Sequence, residues 1–183
     1  MNALNTIILF AVTYLAVFAT GYWNGFRNLL GSQFDFLPAL MVYCGLRTSL
    51  GILTTEAILG GCLFDSLSAN PMGITMVPLF LIGFIVHHQR ELILREETFA
   101  QFVVGTGASA VAPLLTILLL LGGGYKPLIG WGSLWQIVVM AAAGGCFTPM
   151  CFWFFDRVQR TLNYQSRPET SFRPDREIKR GRA

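Results

Sequence analysis

The chain has 183 residues, 54 % of them hydrophobic and 13 % charged, with a formal net charge of +3. That balance excludes an ordinary water-soluble domain. Uncharged stretches run from Met1 to Phe26, Thr98 to Tyr125 and Pro127 to Phe155, each longer than the ~20 residues that cross a ~30 Å hydrocarbon core as a helix.

Six spans are expected in chain order, at Ala3–Tyr22, Phe34–Leu46, Leu50–Leu67, Met72–Val86, Phe99–Leu121 and Trp131–Phe155. They read as helices and not barrel strands, because the apolar runs are continuous: Thr116 is the one polar side chain between Val111 and Leu121, whereas a membrane strand alternates. The fold class is therefore an all-α integral membrane protein, a compact bundle of about six transmembrane helices. Residues 1–156 form one transmembrane domain and 157–183 a basic tail.

The first span lacks the basic n-region of a cleavable signal and is expected to stay attached. The second is the shortest; it carries Asp35 near its start and is followed by Arg47. Glu56 lies inside the third span, where a carboxylate costs several kcal/mol to bury and marks a candidate site. It is expected to be protonated, to pair with Arg47 or another basic group, or to contact a ligand. Asp65 follows nine residues later, on the opposite helical face, so the two carboxylates cannot form an acid/base pair.

The segment from Asp65 to Gly73 reads as a tight hairpin into the fourth span. Ser68 and Asn70 are expected to cap backbone groups, and Pro71 suits the first turn of the next helix. Gly73 permits close backbone approach. Small residues mark packing faces: Gly60 and Gly61 in the third span, Gly105, Ala108, Ser109 and Ala112 in the fifth, Ala141 to Gly145 in the sixth.

His87 and His88 end the fourth span in a polar loop running to Glu97. Adjacent histidines on a helix point about 100° apart and lack a third ligand, so interfacial solvation is expected and no metal. Cys44, Cys62, Cys146 and Cys151 fall inside spans as packing residues. Gly122 to Tyr125 is a turn without the Lys-Ser/Thr ending of a phosphate loop. The tail sets eight basic residues among Pro168 and Pro174 and is expected to be disordered and to act as a topology anchor, with attraction to anionic membrane lipid as the alternative. Without a folded module or aromatic platform it offers nucleic acid no site.

Basic residues near membrane ends are retained in the cytoplasm. With the N-terminus inside, eleven of the thirteen basic residues fall inside, and only Arg27 and Lys126 fall outside. Both termini are therefore expected in the cytoplasm.

The order Gly60/Gly61, Phe64, Asp65, Ser68, Pro71, Gly73, after a short apolar span from Asp35 to Tyr43, resembles MreD, the bacterial rod shape-determining membrane protein family. The resemblance is clearest from Asp35 to Gln89. It implies a non-catalytic, multi-pass scaffold of the bacterial inner membrane that binds MreC and works with the MreB filament and the RodA–penicillin-binding-protein pair that builds peptidoglycan. It implies no cofactor and no catalytic, cofactor-binding or metal residue. The residues expected to serve structure or partner contact are Asp35, Arg47, Glu56, Gly61, Asp65, Ser68, Asn70, Pro71 and Gly73. Phe34 precedes Asp35 here, where the family often places a turn former.

The alternative class is a solute-binding membrane subunit, such as the substrate-capture component of an energy-coupling vitamin transporter, to which MreD is similar in architecture. The outer loops argue against it. Tyr22 to Asn28 and Gly124 to Leu128 supply few polar contacts, and their aromatic residues suit interface anchors.

Overall fold

The structure is a computed structural model that describes residues 3–22, 31, 34–68, 70–91, 97–125, 127 and 130–163. The described residues form six helices and no strand: α1 (Ala3–Tyr22), α2 (Leu37–Arg47), α3 (Leu50–Leu67), α4 (Met76–His88), α5 (Thr98–Gly122) and α6 (Trp131–Asn163). Four of them, α1, α3, α5 and α6, are long and apolar enough to cross a membrane. Their outward faces carry large apolar side chains, among them Ile7, Leu15, Phe18, Phe99, Leu118, Trp131 and Trp153. Such a surface suits hydrocarbon, which does not penalise exposed apolar groups as water does.

The other two helices are shorter than the expected spans. α2 has 11 residues and α4 has 13, about 17 and 20 Å at 1.5 Å per residue, against a core of ~30 Å. The second expected span began at Phe34, but the helix begins at Leu37. The fourth was expected from Met72, but the helix begins at Met76. Gly73 has φ +91°, a left-handed conformation that ends helical geometry before α4 can extend backwards. Pro71 consequently lies in a turn, its carbonyl accepting the Ile74 amide at 3.3 Å, and not in a first helical turn.

α2 is the centre of the fold. Every residue from Leu37 to Leu46 is buried, and α2 touches α1, α3, α4, α5 and α6. Its unbroken apolar sequence follows from this, since a helix enclosed on all sides has no polar face. Two residues, Thr48 and Ser49, join it to α3, and Thr48 closes the helix by giving both its amide and its hydroxyl to the Cys44 carbonyl, at 2.9 and 2.7 Å.

Among the expected small residues Gly60, Gly61, Gly105, Ala108, Ser109, Ala112, Gly144 and Gly145 are buried, whereas Ala142 is exposed. A β-carbon on Gly105 of α5 would stand 2.9 Å from the Gly144 carbonyl oxygen of α6, and one on Gly144 would overlap the Ser109 side chain. One on Gly61 would come within 2.7 Å of the Met76 Cα, so α3 and the start of α4 meet backbone to backbone. α6 continues to Asn163, past the boundary at residue 156 drawn from composition; residues 164–183, the bulk of the basic tail, lie outside the described residues.

Candidate functional site

Each short helix is preceded by a buried aspartate that accepts backbone amides, from the turn leading into α4 in one case and from the first residue of α2 in the other. Asp65 at the end of α3 is 2 % exposed. One carboxylate oxygen accepts the amides of Gly73 and Thr75 at 2.8 and 3.1 Å, and the other accepts the Thr75 hydroxyl. Ser68 holds the turn by accepting the Asn70 amide at 3.2 Å. The hairpin expected from sequence is thus built around Asp65, with Ser68 as a cap and Asn70 contributing its backbone to that cap. Thr75, which supplies two of the three donors to Asp65, carried no signal in the sequence.

Asp35 plays the related part for α2, with one oxygen accepting the Leu37 amide at 2.9 Å. The chain enters here beneath an aromatic cluster: the Phe34 and Phe36 rings meet edge to face at 4.3 Å between centroids, and Phe36 lies 4.3 Å from Phe147 of α6. Asp35 is 8 % exposed, and its second oxygen makes no hydrogen bond with a described residue. The backbone before α2 is enclosed by protein and lines a cavity, the two conditions under which non-helical backbone is tolerated in a membrane.

Between the starts of α2 and α4 lies a cavity of about 250 Å³. Its walls include Asp35 before α2, Phe64 of α3, Asn70 and Thr75 of the hairpin, Leu79 of α4, Pro113 and Thr116 of α5, and Gln136 and Met140 of α6. Asp35 is the sole ionisable residue among the described residues that line it. The sequence reading sought polar contacts in the outer loops and found few; the polar groups come instead from helix ends and interiors. Distributed over four segments, they form no sequence motif.

The remaining expected residues do not line this cavity. Gly61 lets Met76 and the hairpin close on α3. Arg47 pairs with Asp156 of α6 at 3.5 Å, so among the alternatives for Glu56 the pairing with Arg47 does not form. Glu56, fully buried on α3, receives the Thr13 hydroxyl of α1 with one oxygen, and its other oxygen has no hydrogen-bond partner. It faces α1, while Asp65 takes its partners from the hairpin, so the two carboxylates serve separate places as their spacing requires. His87 lies within hydrogen-bonding distance of the Gly45 carbonyl, Nδ1 to oxygen at 3.0 Å, and is less solvated than expected. Among the described residues no three of His, Cys, Asp and Glu gather where they could hold a metal ion. The loop residues 23–28, 92–96, 126 and 128 lie outside the described residues.

No family model, curated protein or solved structure matches the chain.

Proposed function

We propose that this chain is a multi-pass protein of the bacterial inner membrane, of the MreD type, that acts by binding partner helices. On this reading it holds MreC and helps organise the MreB filament and the RodA–penicillin-binding-protein synthase pair, with both termini in the cytoplasm. One observation carries it. The residues through which the sequence resembles MreD are parts of one motif: Gly61 admits the Met76 backbone, Asp65 receives the Gly73 and Thr75 amides, and Ser68 receives the Asn70 amide. Four long apolar helices and an apolar outer surface support membrane residence. In the compact six-helix bundle of this reading, α2 and α4 cross together with the turns that precede them.

Depletion in a rod-shaped host is expected to give rounded, widened cells, and the full chain is expected to co-purify with MreC in detergent. Normal rods after verified depletion, with no paralogue present, would sink the reading. Reporter activity fixes the orientation: a fusion after Ala183 should be active only as a cytoplasmic reporter, and an insertion at Gly123 only as a periplasmic one.

The cavity favours a second reading, a solute-capture subunit, over any catalytic one. Growth rescue of the depleted strain by an added nutrient, with rod shape retained, is its distinguishing result.

A further inference from the structure

The cavity beside Asp35 is placed and lined as a binding site, and its chemistry is one-sided. A buried carboxylate forms one wall with a single backbone donor, the Leu37 amide, on one of its oxygens. The Gln136 and Asn70 side chains stand elsewhere on the lining, and the Thr116 hydroxyl, which donates to the Ala112 carbonyl at 3.0 Å, keeps acceptor capacity toward the space. Phe64, Ile137 and Met140 supply apolar wall. Among the described lining residues there is no lysine, arginine or histidine to pair with the carboxylate.

We propose that this cavity binds a small organic cation, a protonated amine on a compact apolar body, with the ammonium on the free oxygen of Asp35. An anion would meet that carboxylate as a like charge. A neutral polar molecule would leave the buried charge uncompensated, whereas an ammonium compensates it with a charge-assisted hydrogen bond. The start of α2 adds to the selection by consuming the other oxygen, which fixes the orientation of the carboxylate. The volume lies just below the ~300–1,000 Å³ typical of small-molecule sites, which restricts the ligand to one ring system or less. Asp65 does not compete for the same ligand, since both of its oxygens are occupied by hairpin donors.

The proposal goes beyond the scaffold reading, and the two can fail separately. The full-length protein, purified and placed in nanodiscs of zwitterionic phospholipid, would be titrated calorimetrically with tryptamine and 2-phenylethylamine. The controls are tryptophol and 2-phenylethanol, the neutral alcohol counterparts, and indole-3-acetate as the anion; empty nanodiscs correct for partition into lipid. At least one amine should bind about tenfold or more tightly than its alcohol, the ratio expected of one charge-assisted hydrogen bond, and indole-3-acetate should bind weakest. Asp35→Asn should abolish that preference while keeping the melting temperature, because the amide oxygen still accepts from Leu37. Met140→Trp, which fills the space from α6 and leaves Asp35 in place, should weaken amine binding. Failure of both amines to bind better than their alcohols overturns the proposal, as does a preference that survives Asp35→Asn. MreC co-purification, measured on the same variants, should be unchanged; its loss in the unaltered protein would count against the scaffold reading and leave the amine result standing.

Discussion

At its Arg47 end α2 is packed shut, while at its Asp35 end the same helix borders an open cavity. The closed end has Tyr43, 1 % exposed, stacked on Phe155 at 4.4 Å and meeting Phe152 edge to face at 5.1 Å. The amide of Gln159 donates to its hydroxyl at 3.0 Å, and one turn on, Arg47 pairs with Asp156 and lies 6.0 Å from the Phe152 ring centre. At the open end an equally central position holds a carboxylate with one oxygen unpaired among the described residues, beside about 250 Å³ of space. Helices in hydrocarbon associate through close van der Waals fit, so stability is concentrated where the fit is complete. An imperfect fit around a buried acid costs stability, and such sites are characteristically functional.

Truncation at the closed end should therefore have the largest effect. Tyr43→Ala removes a fully buried aromatic ring and should destabilise by roughly 3–5 kcal/mol, read as a lowered denaturant midpoint in micelles. Tyr43→Phe keeps the ring and loses only the Gln159 contact, about 1 kcal/mol. If the alanine variant unfolds no more easily than the phenylalanine variant, the closed end is not what holds α2.

Gly61→Leu tests the wall shared by α3 and the hairpin. The added side chain must displace the Met76 backbone, an overpacking that costs ~1–3 kcal/mol or more, and membrane-inserted yield should fall. Full yield would mean that α3 and α4 do not meet at this point.

Next comes Asp65→Leu, which removes the acceptor of two amides and a hydroxyl; as the hairpin relaxes and its donors find other partners, the net loss should be ~1–3 kcal/mol. Asp65→Asn retains an acceptor and should be distinctly milder. Thermal melts of the two variants side by side check this; equal losses would show that charge, and not acceptor geometry, holds the hairpin.

Asp35→Asn should have the smallest effect on stability, under ~1 kcal/mol, because the Leu37 amide keeps an acceptor. A loss as large as that of Tyr43→Ala would make the open end a structural joint and remove the distinction between the two ends.

The sequence by itself determined the all-helical character, the six helical segments and the packing faces. Each is a local property: an uninterrupted apolar run must satisfy its own backbone, and Gly105, Ser109 and Gly144 permit close approach by being small. It also made Asp65 and Gly73 recognisable as a turn, since both signals lie within nine residues. Only the tertiary structure decided that α2 is central, that Arg47 takes Asp156 instead of Glu56, and that Thr13 and Thr75 are the partners of buried acids. Asp156 is 109 residues from Arg47, and Thr13 is 43 from Glu56. The cavity belongs to the same class. Asp35, Asn70, Thr116 and Gln136 line one space because four crossing segments converge there, and no spacing along a chain encodes where helices cross.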